Sequence, residues 1–493
     1  MSERPAPPSS PKDIRKRLLG GGSLVLAADS LQGPVAVVLA AYLGRRLGIE
    51  GLALYLLAAS VVTWFEIATS SLFSRATVQL VGEVHEWRPV ASLVLRWHFG
   101  SSLAMATILL VAAGPVERLL GVERLAHTLR LFALEPPLFA LARAHTQVLV
   151  GLGRFRERAL CSAGRSLARL VIAVVLVEAG MGVRGAVLAS IGSAALELAI
   201  ARFQIRLPLM ERPPHGLGRR LMGYSLPLFA NGMSLQLFHR LGLLLLVPLG
   251  GSLAGAGIYG AAQSLLRVRR ILGQSLTPLL LSSLTRLRRD GEVDGARSLA
   301  RDALSWSLYP TPVIATLAGA ASGVMALVFG AEFAEGGPVL AWLLASAPSL
   351  LVLSVAIATL VSEGRPVVPV KLSAPTVVAA ALGMVWAVPR AGALGAAATT
   401  SICAGGCALA ALLVLGRGLG VTPRAVTVAR CAVASAVAWL AASAAPLGGG
   451  WLLLELPAIA LAALGLMVAL GEQRELAGRA FGELRSRLLV RRA

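Results

Sequence analysis

Runs of about 20 apolar residues recur along the whole of this chain, and that recurrence leaves few ways to fold it. Inside a bilayer an unpaired backbone group costs several kcal/mol, so such a run crosses only as an α-helix or within a closed barrel. A barrel would show short alternating segments instead. Mean hydropathy is +0.75 and charged residues make up 14 % of the 493, against about a quarter in soluble domains. The chain reads as an all-α polytopic membrane protein. Fourteen spans are expected, at 19–44, 52–80, 91–113, 127–151, 159–180, 184–207, 222–249, 254–283, 304–330, 338–362, 367–388, 391–416, 425–446 and 450–471. The segment before them is Pro/Ser-rich and then basic; Asp29 and Gln32 interrupt the first apolar run, so it reads as an uncleaved first helix.

Charge then sets orientation. The net charge of +21 would suggest nucleic acid in a soluble protein, but here the basic residues sort by loop. With the N-terminus inside, cytoplasmic loops carry Arg15, Lys16 and Arg17, then Arg154, Arg156 and Arg158, then Arg212, Arg219 and Arg220, then Arg286, Arg288, Arg289, Arg297 and Arg301, then Arg365 and Lys371, then Arg417 and Arg424, and the tail adds Arg474, Arg479, Arg485, Arg487, Arg491 and Arg492. Outer loops carry only Arg45, Arg46, Arg118, Arg124, Arg184 and Arg390. Both ends are therefore expected in the cytoplasm. The stretch 284–303 reads as a short amphipathic cytoplasmic helix, and the tail after residue 471 as a basic amphipathic helix on the inner leaflet. Cys161, Cys403, Cys407 and Cys431 lie in or beside apolar segments and read as small buried hydrophobes; no metal site is expected.

The opening hairpin returns in mid-chain. Gly51, Tyr55, Ala58, Ser60, Ile67, Ser71 and Leu72 line up with Gly255, Tyr259, Ala262, Ser264, Ile271, Ser275 and Leu276, about 204 residues on. Gly185-Ala186-Val187 opens span six and Gly392-Ala393-Leu394 opens span twelve, about 207 residues on. Spans one to six thus repeat as spans seven to twelve, with an extra pair behind them. The expected organisation is a tail at 1–18, an N-lobe at 19–207, a linker at 208–221, a C-lobe at 222–416, the extra pair at 417–471 and the basic tail at 472–493.

Ionisable residues inside spans are expensive and face an interior or a cavity by default. Here they include Asp29, Glu66, Arg75, Arg143, His239-Arg240, Arg267 and Arg270, the last two on one helix face. Arg165 and Arg169 share a face as well, and with Arg154, Arg156 and Arg158 read as a basic strip near the cytoplasmic surface. Glu135-Pro136-Pro137 is expected to bend span four, and Pro227, Pro278, Pro310 and Pro312 to bend spans of the second lobe, whereas Pro248 is expected to end a helix. No Gly-rich loop ends in Lys-Ser or Lys-Thr and no catalytic constellation stands out, so the chain does not read as an ATPase or any other enzyme, and no cofactor is implied.

LGRRLGIEGLALYLLA with ATSSLFSR, GLGRFRERAL after span four, RGAVLASIGSAALEL at span six, and GYSLPLFANGMSLQLFHR leading into GAGIYGAAQSL occur in fixed order. In these the chain resembles the polysaccharide-flippase branch of the multidrug/oligosaccharidyl-lipid/polysaccharide exporter superfamily. The resemblance implies two six-helix lobes around a central cavity, alternating access, and export of an undecaprenyl-diphosphate-linked oligosaccharide across a bacterial inner membrane. It implies a cationic path for the diphosphate, assigned to Arg240, Arg267, Arg270, Arg75 and Arg143, with Asp29, Glu66 and His239 in gating or charge coupling. Members of this branch often carry an acid where this chain has His239-Arg240, which makes the cavity more cationic. Membrane lipids, and a polysaccharide polymerase or glycosyltransferases, are the partners implied; nucleic acid is not. A lipid II flippase and a cation-coupled multidrug exporter on the same fold are the alternatives, together with a membrane-embedded polymerase, which would need a large periplasmic loop.

On the topology above, single cysteines placed within 248–254 or 446–450 of a cysteine-free background react with an impermeant thiol reagent added outside intact cells. Cysteines within 286–295 react only after lysis. The reverse pattern would invert the orientation.

Overall fold

The computed structural model describes residues 11–83, 86–208, 211, 236–266, 277, 280–365, 367–444 and 452–469; the side chains of 11–27, 68–76, 79, 83, 452–453 and 468 are outside that description. Every regular element among these residues is helical. In chain order they are α1 (Pro11–Glu83), α2 (Trp87–Leu120), α3 (Leu125–Phe132), α4 (Glu135–Gly151), α5 (Phe155–Leu176), α6 (Gly182–Gln204), α7 (Gln236–Leu246), α8 (Leu253–Leu265), α9 (280–289), α10 (Val293–Trp306), α11 (Thr311–Gly319), α12 (Ala321–Phe329), α13 (Gly337–Ser362), α14 (Val367–Leu419), α15 (Ala425–Ala444) and α16 (Leu452–Ala469). The linker 212–221, Arg267, Arg270, Pro227, Pro278 and the tail 472–493 lie outside the described residues, as does the side chain of Arg75.

Among the described residues six helical stretches are long and apolar enough to cross a membrane, or seven if the bent pair Val293–Gly319 and Ala321–Phe329 counts as one span. Three of the six are double rods. Ala28–Ile67 has 40 residues, Phe155–Gln204 has 50 and Val367–Leu419 has 53, where about 20 residues suffice. Each contains a glycine at positive φ: Gly48 at +71°, Gly180 at +85° with Gly182 at +53°, and Gly392 at +52°. A continuous α1 of 73 residues would be about 110 Å long, several bilayers thick, and Gly48 breaks it where the sequence puts the first turn. No atom lies within 4 Å of where a Cβ on Gly48 would sit, so the backbone angle, not space, requires glycine there.

The same test corrects the second repeat by three residues. Gly182 (φ 53°, ψ −132°) and Gly392 (φ 52°, ψ −130°) share one backbone conformation, which sets the register at 210 residues rather than about 207. Gly185 then matches Gly395, and both are held by space. A Cβ on Gly185 would lie 3.0 Å from a Leu176 carbon, and one on Gly395 would lie 2.3 Å from the Ala387 oxygen. In each G-x-x-G the first glycine turns the chain and the second lets the returning helix touch.

The prolines act differently from expectation. Span four is interrupted at 133–134, and Pro136-Pro137 fill the first turn of α4, where a missing N–H costs nothing. Pro312 likewise lies in the first turn of α11, just beyond Pro310. Pro248 lies in the turn that ends α7, as expected.

The chain divides into two compact units: Met1–Leu272 with Ser373–Thr399, and Gly273–Leu372 with Thr400–Ala493. In the first, α5 packs along both α6 and α1. Asp29 meets Arg158, and Tyr42 meets Val174 and Glu178, so the first half of α1 and α5 run parallel, as first and fifth spans of an alternating topology must. Leu80, Val81, Val94, Leu95, Val148, Leu149 and Cys161 form a core beneath them. Helix α8 meets the turn of α1 closely enough that a Cβ on Gly257 would lie 2.3 Å from the Ile49 oxygen. In the second unit α11, α13 and α15 pack together, and Cys431, Ala434 and Met467 join α15 to α16. Cys161, Cys407 and Cys431 are buried and Cys403 is half-buried; none of them forms a disulfide.

Gly392→Ala is expected to lower stability by about 1–3 kcal/mol, read as the thermal unfolding midpoint in detergent. Gly406→Ala, inside α14 with nothing within 4 Å of the new Cβ, should leave the midpoint unchanged or raise it.

Candidate functional site

The site begins with a stripe on α5. Arg158, Ser162, Arg165 and Arg169 stand at i, i+4, i+7 and i+11 and so share one face. Arg169 lies about 16 Å along the axis from Arg158, about half the hydrocarbon thickness. At that depth guanidiniums need partners, and three neighbouring helices supply them.

Nearest the start of α5, Arg158 Nη1 donates to both Asp29 oxygens, at 2.7 and 2.8 Å. Ser162 Oγ donates to Asp29 Oδ1 at 3.0 Å, and Gln32 Nε2 donates to Ser162 Oγ at 2.7 Å. Two turns deeper, Arg165 bridges Glu135 of α4 at 3.0 Å and Glu197 of α6 at 3.2 Å. Both carboxylates are buried, 3 % and 2 % exposed. The Arg165 guanidinium also lies 4.3 Å from the Phe139 ring centre, and Arg143 lies 4.9 Å from the same ring. Deeper still, Arg169 Nη2 donates to the Tyr55 hydroxyl at 2.7 Å. Glu66 is buried, with Glu135, Arg165, Arg169 and Arg143 the charges acting on it. Four carboxylates thus sit among four guanidiniums. Among the described residues two of the four, Arg143 and Arg169, have no carboxylate oxygen within 4.0 Å; Arg169 is answered by a hydroxyl and Arg143 by a ring face.

The structure therefore brings Asp29, Glu66 and Arg143 into one network. The basic strip divides: Arg158, Arg165 and Arg169 turn into the network, whereas Arg154 pairs with Glu157 at 3.0 Å and Arg156 is exposed. Glu135, Glu197 and Tyr55 complete the network. For Glu135 and Glu197 the signal in the sequence was the presence of charge within spans four to six; Tyr55 was marked only by the hairpin repeat. Arg240 and His239 sit on α7, away from that stripe; Arg240 Nη1 donates to the Ser60 carbonyl at 3.4 Å, and Gln263 Nε2 donates to the His239 carbonyl at 2.6 Å. At the other end of α5, Glu178 accepts from Tyr42 at 3.0 Å and pairs with Arg46 at 2.6 Å. Among the described residues no three His, Cys, Asp or Glu side chains converge as metal ligands.

The second unit offers an apolar cavity of about 500 Å³ between α11, α13 and α15, lined by Ile314, Ala318, Trp342, Pro348, Ala436 and Trp439. Both tryptophans remain partly exposed on the helix surfaces.

Removing one member of a buried ion network strands its partners, at about 3–5 kcal/mol. Arg165→Ala should therefore lower the thermal unfolding midpoint in detergent far more than Arg154→Ala. Combining Arg165→Met with Glu135→Gln and Glu197→Gln should recover most of the loss. A wild-type midpoint for Arg165→Ala would mean the bridge contributes nothing.

A family model described as "Polysaccharide biosynthesis protein" matches residues 43–337, more than half of the chain. No curated protein matches. Among solved structures, the lipid II flippase MurJ in an inward closed conformation superposes with a TM-score of 0.76 at 12 % identity, covering 92 % of this chain and 99 % of that one. An inward-facing multidrug resistance MATE family transporter of the MOP superfamily gives 0.70 at 15 %, covering 78 % and 94 %. A MOP superfamily transporter from Pyrococcus furiosus, described as having a binding pocket of reversed polarity, gives 0.56 at 15 %, covering 83 % and 96 %. At these identities the likeness speaks for the fold alone, and the family rests on the family model. The chain belongs to the polysaccharide biosynthesis protein family, on a fold similar to that of the MurJ and MATE structures.

Proposed function

We propose that this protein is a flippase that moves an undecaprenyl-diphosphate-linked oligosaccharide from the cytoplasmic to the outer leaflet of a bacterial inner membrane, by alternating access, for surface or exopolysaccharide assembly. The observation that carries the reading beyond its family is Arg143. Its guanidinium is held deep in a span by the Phe139 face, with no carboxylate within 4.0 Å among the described residues. Guanidinium donors in fork geometry match phosphate oxygens. A diphosphate arriving there would meet a cation not already paired, since Arg158 and Arg165 hold Asp29, Glu135 and Glu197 while Arg169 is bonded to the Tyr55 hydroxyl. Arg75, Arg240, Arg267 and Arg270 are proposed to extend that path, with Asp29, Glu66 and His239 in gating or charge coupling. The two lobes are proposed at 19–207 and 222–416, with 417–471 the extra pair and both termini cytoplasmic. Translocation needs no covalent step, in keeping with a transporter rather than an enzyme. The apolar cavity beside α15 has the lining to accept a hydrocarbon chain.

A lipid II flippase is the second reading, favoured by one observation: the MurJ structure is covered over 99 % of its length. A deletion strain separates the two. Accumulation of undecaprenyl-diphosphate oligosaccharide on the cytoplasmic face, with loss of surface polysaccharide and normal growth, is expected. Growth arrest with lipid II trapped inside would favour the second reading, and altered drug sensitivity without either lipid would favour an exporter. In the complemented strain Arg143→Ala and Arg240→Ala should each abolish surface polysaccharide while membrane protein levels persist. Normal polysaccharide in both would remove the cationic path.

A further inference from the structure

Helices α9 and α10 of the second unit form a hairpin that is tied to two other connections of the same unit. Arg288 pairs with Glu363 just past the end of α13, and Arg424 pairs with Asp302 of α10. Arg301 Nη2 also donates to the Gly420 carbonyl at 3.2 Å, and Ser305 Oγ accepts from the Arg424 amide at 3.2 Å. The α9–α10 hairpin and the connections 363–365 and 420–424 are thereby fixed into one plate.

Its charges do not cancel. Glu363 is largely buried and committed to Arg288. Arg297 and Arg365 are the charges that act on Arg288, whose guanidinium is pushed down from its ordinary value by partial burial first and by those two neighbours next. Arg297 has one carboxylate partner, Asp294 at 3.5 Å, whose side chain is 98 % exposed, a pairing worth little in water. Arg365 has no carboxylate within 4.0 Å among the described residues, and its Nη1 lies against the backbone of α14, 3.7 Å from where a Cβ on Gly418 would sit. Both Arg297 and Arg365 are exposed. Arg365 stands three residues past Ser362, within about 10 Å of the helix end, which is headgroup depth for a span of this length.

We infer that Arg297 and Arg365, braced around the Arg288–Glu363 pair, form a binding site for the phosphate of an anionic lipid headgroup in the cytoplasmic leaflet. Arginine suits a phosphodiester through paired N–H donors, and the rigid plate lowers the entropy cost of presenting two guanidiniums together. The side of the membrane is taken from the Lys/Arg asymmetry. Binding is read without transport, so its failure would leave the translocation reading untouched, and the converse also holds.

The test titrates full-length protein in neutral detergent with phosphatidylglycerol or phosphatidylcholine and reads the unfolding midpoint. Phosphatidylglycerol should stabilise the wild type and phosphatidylcholine should not. Arg297→Gln with Arg365→Gln should weaken the phosphatidylglycerol response about tenfold, and Arg286→Gln with Arg289→Gln, an equal charge change beside it, less than about twofold. The Lys versions of the first pair should retain much of the response, which reports that the plate still folds. Equal weakening in both Gln pairs would mean a smeared surface potential and overturn the site, as would no headgroup preference in the wild type. Inorganic phosphate stabilising as strongly as phosphatidylglycerol would overturn the lipid assignment. Stronger stabilisation by a polyglutamate peptide of equal charge would hand the face to an acidic protein instead.

Discussion

A guanidinium in hydrocarbon must be answered by a carboxylate, a carbonyl, a hydroxyl or a ring face, and the first unit is arranged around that requirement. Arg165 is answered twice, by Glu135 and Glu197, and so ties α4, α5 and α6 at one depth. Arg158 and Arg169 extend the tie to both halves of α1 through Asp29 and Tyr55. Five helical segments are thus registered by polar contacts whose loss would leave charge stranded in a low dielectric. Apolar packing alone would register them weakly, because lipid chains are as apolar as leucine. Arg143 rests on the Phe139 ring, without a close acid among the described residues.

The second requirement is to turn a very apolar chain around without long loops. Positive-φ glycines do this at Gly48, Gly182 and Gly392. In the G-x-x-G pairs the first residue provides the angle and the second the contact, and their identical geometry 210 residues apart is the clearest structural trace of the internal repeat. Proline takes another role. At Pro136-Pro137 and Pro312 it opens a new helix after a break rather than bending an existing one, because the first turn has no use for the missing N–H.

Much of this was legible in order along the chain. The spans, the first-hairpin repeat and the ionisable residues inside spans can each be read from local pattern, because span length, turn chemistry and the cost of buried charge act on a few consecutive residues. Asp29, Glu66 and Arg143 stood out for that reason. Glu135, Glu197 and the inward turn of Arg165 and Arg169 did not. Arginine near a span end snorkels as readily as it pairs, and the choice depends on whether an acid on another helix reaches the same depth.

The sequence by itself determined that the chain is an all-α membrane protein, where its helices turn, that it repeats, and which ionisable residues lie within its spans. Hydrophobic length and glycine geometry are properties of neighbouring residues. Only the tertiary structure decided which charges face one another, that Arg165 is shared by two acids while Arg143 rests on a ring, and that α9 and α10 are fixed to the loops beyond α13 and α14 respectively. Pairing depends on the rotation and depth of helices far apart in the chain, and those are set by packing, which local pattern does not encode.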